Sequence, residues 1–270
     1  MRLGILLAAL LAGAAPAQEA PRGLQTGDDA RGWEAVGRID IDGKGFCTGA
    51  LIAPDLVLTA AHCLFDRDTG ARVDPSRIEF LAGLRNGRAL AYRDVRRAVV
   101  HPAYVYDPSV GAAGSRDDLA LLELAQPIRS TQVVPFATGE AVHAGATVSV
   151  VSYAAGRSEV PALEGACGVL GEEEGVLVLS CDVDFGSSGA PIFQVVGGVA
   201  RIVSVVSAKG ELGPDRVALG TSLAAPLEEL RALLDGQAGA GALPEVRSLG
   251  AGERSDTGAH FVSVGGAAPP

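Results

Sequence analysis

Between residues 34 and 222 the chain is cut into short apolar runs fenced by Gly, Pro, Asp or Asn, and this punctuation constrains the fold more than any other feature. The runs read AVGRIDI, GALIAPDLVLTA, IEFLAGL, VRRAVV, LALLEL, TVSVVSY, GVLVLSC, APIFQVV and VARIVSVVS. Segments this short, rich in Val and Ile and closed by turn formers, predict β-strands rather than helices. Within GALIAPDLVLTA the Pro54-Asp55 pair favours a turn, so Leu58 to Ala60 belong to a returning strand and His62 lies just past its end. The pattern resumes after a seam near residues 127–145, which predicts two β lobes. PLEELRALL places Leu227, Leu230 and Leu234 at helical spacing behind Pro226, predicting one short helix over 226–235.

The ends differ from this middle. MRLGILLAALLAGAAPAQ joins one basic residue, an apolar stretch and Ala15-Pro16-Ala17, the pattern of a secretory signal peptide cleaved after Ala17. Its apolar run falls short of the ~20 residues of a membrane span, and no later stretch is long enough. Residues 18–33 are polar and Gly/Asp-rich and read as a flexible arm or pro-segment, and residues 236–270 as a mobile tail. The formal charge of −10 becomes −11 once Arg2 leaves with the leader, which argues against nucleic acid as a partner. With Lys44 and Lys209 the only lysines in an Arg- and Ala-rich chain, an exported bacterial protein, periplasmic or extracellular, is expected.

Four cysteines in an exported chain form two disulfides by one of three connectivities, and the nearest-neighbour scheme, Cys47 with Cys63 and Cys167 with Cys181, is favoured by proximity in sequence. No CxxC or HxxxH spacing supports a zinc site, so neither metal nor organic cofactor is expected.

Three segments hold the candidate chemistry. TAAHC presents His62 at a strand end; SRDDLALLEL sets Asp117 and Asp118 before a strongly apolar strand; DFGSSGAPI holds Ser188 in a glycine-flanked turn. An acid at the head of a buried strand is costly to desolvate unless hydrogen-bonded, for instance to a histidine, and Asp118 is the one nearer the interior. Glycines at 186 and 189 let the backbone turn sharply and bring the amides of Gly186 and Ser188 near a substrate carbonyl.

Together these segments resemble the chymotrypsin/trypsin-like serine peptidase family over residues 34–235, with His62, Asp118 and Ser188 in that family's chain order. VVHPAY at 99–104 and the sixteen-residue spacing of Cys47 and Cys63 are similar to the family's segment before the aspartate and to its histidine-loop disulfide. The resemblance implies an all-β fold of two six-stranded antiparallel barrel lobes, about 34–130 and 131–225, closed by the helix. It also implies peptide-bond hydrolysis by a His62-Asp118-Ser188 triad, with Gly186 and Ser188 amides as oxyanion hole and protein or peptide substrates met by a monomer. A silent relative that only binds proteins is the alternative, and an esterase a third; the complete triad weighs against the silent form.

Two departures are informative. Ser187 stands where many members carry an aspartate that pairs with a new N-terminal ammonium, and the usual Ile/Val-Val-Gly-Gly start is missing, so zymogen activation of that type is not expected. A serine there, with Ala190 for the second glycine, resembles the bacterial glutamyl-endopeptidase branch. Asp182, six residues before Ser188, and Ser207 and Lys209 in VVSAKG are candidates for the substrate pocket, with a solvated loop position the competing reading for the two charges. His101, His143 and His260 read as non-catalytic, and Glu172 to Glu174 as a solvated hairpin loop.

Overall fold

The computed structural model describes residues 20–107 and 114–240. The expected leader, residues 1–17, and the tail beyond residue 240 lie outside the described residues. The rest is the expected all-β architecture in two lobes.

The first lobe is a closed barrel of β2 (Val36–Ile41), β3 (Gly45–Ala53), β4 (Leu56–Thr59), β5 (Ile78–Ala82), β6 (Ala91–Val100) and β7 (Ala120–Leu124), in the order β2-β3-β4-β7-β6-β5. Ala53 pairs with Leu56, so Pro54-Asp55 is the two-residue turn that the sequence predicts. All five residues of β7 are buried, Glu123 among them, where it is held by Arg96 and Arg97.

The second lobe contains β8 (Thr147–Ala154), β9 (Arg157–Glu173), β10 (Val176–Leu179), β11 (Pro191–Val196), β12 (Val199–Leu212) and β13 (Asp215–Ser222). Its order is β9-β10-β13-β12-β11-β8, and a β8–β9 ladder joins the two ends into a circuit of six antiparallel strands. Two of these, β9 and β13, are absent from the apolar runs above. In β9 the polar and small residues of RSEVPALEGACGVLGEE blur any period of two, and register shifts on its ladders with β8 and β10 break it further.

The lobes are packed along their seam. Phe136 in the connector donates its N–H to Leu51 of the barrel, while Gly139 N–H reaches Ile202 of β12. Phe136, Trp33 and Phe193 form an aromatic cluster with centroid separations of 4.6, 5.0 and 6.1 Å. Tyr153, fully buried, bonds through its hydroxyl to Leu84 O at 2.9 Å across the same seam.

The segment 18–33 is not a flexible arm over its described part. Arg22–Gly23 forms β1, paired with Leu163 and Ala162 of β9, and Leu24 is fully buried with its N–H on Pro161 O. The polar stretch after it is a capped turn. Thr26 Oγ1 accepts from Asp29 N–H at 3.1 Å while Asp29 Oδ2 accepts from Thr26 N–H at 3.0 Å. This reciprocal capping reads Thr-x-x-Asp, so the composition that suggests disorder here encodes a turn. The helix α1 spans Ala224–Ala240, two residues earlier and five later than expected, with Leu227, Leu230 and Leu234 buried as the spacing requires. The compact body ends at Leu234, and Asp235 begins a separate unit.

Because Leu24 is the apolar anchor of the arm, Leu24→Ala is expected to lower stability by about 2–5 kcal/mol, read as a fall in the urea midpoint. A truly loose arm would leave the midpoint unchanged.

Candidate active site

After β4 the chain tightens into a 3-10 turn, Ala61–Leu64, that carries His62, and a disulfide from Cys63 to Cys47 of β3 pins this turn to the barrel. Cys167 and Cys181 form the second bridge. The loop before β7 brings Asp118, 2 % exposed, to the same place. Its Oδ2 accepts from His62 Nδ1 at 2.7 Å and its Oδ1 from the His62 backbone N–H at 2.8 Å. A carboxylate can only accept here, so the ring proton resides on Nδ1 and the Nε2 lone pair is left to take another proton.

A third donor comes from the other lobe. Ser207 Oγ on β12 donates to Asp118 Oδ2 at 2.5 Å and lies 3.0 Å from Ser115 Oγ. Its hydroxyl is therefore committed to the carboxylate, a contact the sequence does not suggest. A position beside Lys209 in sequence could not reveal this; only the pairing of β12 against the Asp118 loop does. Asp117 turns away to His101 Nδ1, 3.6 Å distant, while Nε2 of His101 faces Glu229 of α1 at 3.3 Å.

Ser188 sits in the turn before β11, partly exposed, and its carbonyl accepts from Thr48 N–H of β3 at 2.8 Å. The next residue, Gly189, has φ +77° and is packed so closely that a Cβ would stand 2.1 Å from Thr59 Oγ1 and 3.0 Å from Ala60 N. Thr59 and Ala60 directly precede the turn that bears His62, so the serine loop and histidine loop are in contact. Among the described residues no hydrogen bond joins His62 Nε2 to Ser188 Oγ.

The backbone before Ser188 has a defined polarity. Phe185 O accepts from Ala155 N–H at 2.7 Å, and in a trans peptide this turns the following Gly186 N–H the opposite way. Among the described residues neither Gly186 N–H nor Ser188 N–H meets an acceptor. Gly186 has φ +94° and a Cβ there would fall 2.3 Å from the Phe46 ring, so only glycine fits. Thr48 Oγ1 donates to Gly186 O at 2.8 Å and accepts from Tyr153 N–H at 3.0 Å, fixing the peptide from the barrel side.

A cleft of about 700 Å³ lies in the second lobe, lined by Asp182, Asp184, Lys209, Arg216 and Arg157 among others. Lys209 is paired with Asp184 at 3.3 Å, and Arg216 stands 3.9 Å from Asp182. Arg157, unnoticed in the sequence, differs from both. Its guanidinium bonds only neutral groups, Ser152 O and Ser152 Oγ, and burial lowers its pKa. Glu164 and Asp184 act on it from beyond ion-pair distance and oppose that lowering. Behind the cleft wall Glu164, 4 % exposed, accepts the Asp182 N–H at 2.8 Å, and burial pushes its carboxyl up to about 7. The two groupings with metal-ligand proximity, Cys47/His62/Cys63 and Glu164/Cys167/Cys181, each contain a disulfide, whose sulfurs are not thiolates and do not suit an ion.

Glu164 sets a pH dependence of stability. The folded protein holds this proton to a higher pH than the unfolded chain, whose glutamate titrates near 4.5. Stability is therefore fullest below that value and declines as pH rises to about 7, by on the order of 3 kcal/mol. Glu164→Gln is expected to flatten the fall in urea midpoint between pH 5 and pH 8; an equal slope in both proteins would refute the assignment.

Comparison with known proteins places the chain. A trypsin-like peptidase domain profile matches residues 47–200. A glutamyl endopeptidase of Bacillus licheniformis is 27% identical over 154 residues, 56% of this chain and 46% of that protein, so the chain spans about half the length of the curated relative it matches. A solved structure of a Glu endopeptidase in complex with MPD superposes with a TM-score of 0.65 at 18% identity, covering 81% of this chain and 98% of that one, which speaks for the fold alone.

Proposed function

The chain belongs to the trypsin-like peptidase family, and from that premise we propose that it is an exported serine endopeptidase acting through an acyl-enzyme. The observation that carries this reading is the buried Asp118 carboxylate bonded to both N–H groups of His62, leaving Nε2 open beside the loop that bears Ser188. In the proposed cycle Ser188 Oγ attacks the scissile carbonyl as His62 Nε2 takes its proton, with substrate binding closing the distance between them. The oxyanion accepts from the N–H groups of Gly186 and Ser188, a contribution typically worth ~3 kcal/mol per donor. Asp118 keeps the imidazole in its Nδ1–H form and stabilises the imidazolium, and Ser207 holds Asp118. The imidazolium then protonates the departing amine, and water repeats the sequence on the ester. Disulfide bonding supports a site of action outside the cytoplasm. Among the described residues no helix is long and apolar enough to cross a membrane.

Cleavage after acidic side chains is part of the proposal. The names of the relatives point there, and Arg157 supplies a physical ground, since a half-buried cation that hydrogen-bonds only neutral groups can still take up an incoming carboxylate. Asp182 would then be no cation receptor, and Lys209, already neutralised by Asp184, a lesser contributor.

Labelling with a fluorophosphonate separates enzyme from silent binding module: the mature protein is expected to label, Ser188→Ala not at all. Asp118→Asn should lower kcat by about four orders of magnitude, as triads of this kind do. Unlabelled native protein would sink the reading. For specificity, a peptide library should return Glu or Asp before the scissile bond, and Arg157→Gln should cut kcat/KM for the Glu substrate about thirtyfold or more while sparing its Gln analogue. Equal losses on both substrates would remove Arg157 from recognition.

A further inference from the structure

Among the described residues His101 is the buried histidine, and the proposed cycle leaves it unused. Its backbone is fixed on both sides: the N–H donates to Leu119 O at 3.0 Å and the carbonyl accepts from Tyr104 N–H at 2.9 Å. The ring, 8 % exposed, borders a cavity of about 470 Å³ that shares no lining residue with the 700 Å³ cleft. Four carboxylates, Asp117, Glu172, Glu174 and Glu229, line this cavity against one guanidinium, Arg116, which stands 3.5 Å from Glu174. Such a surplus of negative charge draws cations.

Each ring nitrogen faces an acid. Nδ1 is 3.6 Å from Asp117 Oδ1, and Nε2 is 3.3 Å from Glu229 Oε2. Among the described residues Nδ1 is the buried side-chain polar atom that has no hydrogen-bond partner. A carboxylate only accepts and a neutral imidazole carries one N–H, so one lone pair must point at an anion. The closer approach, to Glu229, takes the hydrogen on Nε2 and leaves the Nδ1 lone pair against Asp117. A gap of 3.6 Å exceeds the ~2.7–2.9 Å of a charge-assisted hydrogen bond. It suits two ligands of one ion, because a nitrogen and an oxygen each ~2.0–2.2 Å from a tetrahedral centre stand about 3.4 Å apart.

We propose that His101 Nδ1 and Asp117 form a binding site for one divalent ion of the zinc class, with water completing the tetrahedron and the Nε2–H held by Glu229. The imidazole sets the class: Ca²⁺ and Mg²⁺ take oxygen ligands, whereas zinc accepts nitrogen and carboxylate together. A second ring N–H resting on a carboxylate is the usual way a zinc-bound histidine is oriented. Asp117 directly precedes Asp118, so the ion would fasten the loop that bears Asp118 to the end of β6.

The test is calorimetric titration of metal-stripped Ser188→Ala protein, chosen to prevent self-digestion, with Zn²⁺ alone. A saturable equivalent is expected. His101→Gln and Asp117→Asn should each remove it while sparing any uptake at other histidines, and Glu229→Gln should weaken it about tenfold or more. Zn²⁺ should raise the thermal unfolding midpoint of the parent but not of the first two variants, whose midpoints without zinc show that they fold. Glu229 is 55% exposed, so its variant keeps the question open to measurement whatever the others do. Uptake that is the same in His101→Gln and Asp117→Asn as in the parent, or no saturable uptake by the parent, overturns the site. An affinity unchanged in Glu229→Gln overturns the placement of the ion on Nδ1. With the nucleophile removed, none of these results touches the peptidase reading.

Discussion

One buried carboxylate depends on both lobes. Asp118 is taken out of water at a cost of several kcal/mol unless its oxygens find donors, and three are supplied. Two come from His62 in the barrel and one from Ser207 on β12. The loop around it is held in the same way, with Thr221 Oγ1 of β13 donating to Ser115 O at 2.6 Å. Neither lobe alone satisfies this group. Asp118 therefore ties the histidine turn of the barrel to β12 of the second lobe, and the aromatic cluster of Trp33, Phe136 and Phe193 packs along the same seam.

The serine loop is shaped by exclusion. At Gly186 the Phe46 ring, and at Gly189 the Thr59 hydroxyl and Thr48 carbonyl, occupy the space a side chain would need. Thr48 then links the lobes through one hydroxyl, donating to Gly186 O and accepting from Tyr153 N–H. A loop so confined presents its free amides without rearrangement, which is the property an anion-stabilising site needs.

Much of this was legible in the sequence, for local reasons. The turn at Pro54-Asp55, the strand end before His62, and the buried spacing of Leu227, Leu230 and Leu234 each depend on residues a few positions apart. The illegible parts depend on partners far away. Strand β9 is held by its neighbours on both sides rather than by its own alternation, and the segment that carries the buried Leu24 is placed by its pairing with β9. Ser207 and Arg157 look ordinary in sequence. Their meaning comes from a carboxylate 89 residues away in one case and from burial in a cleft wall among neutral hydrogen-bond partners in the other.

Ser187 joins these threads. It is 1 % exposed, and its hydroxyl meets Ser152 Oγ at 3.2 Å, which in turn accepts from Arg157 at 2.9 Å. An aspartate in this position would be a buried charge requiring a cation to enter before the loop could settle. A serine imposes no such demand, since a neutral hydroxyl is satisfied by its neighbours. Among the described residues the backbone around Gly186 is oriented by Ala155 N–H on Phe185 O and by Thr48 Oγ1 on Gly186 O, both neutral donors.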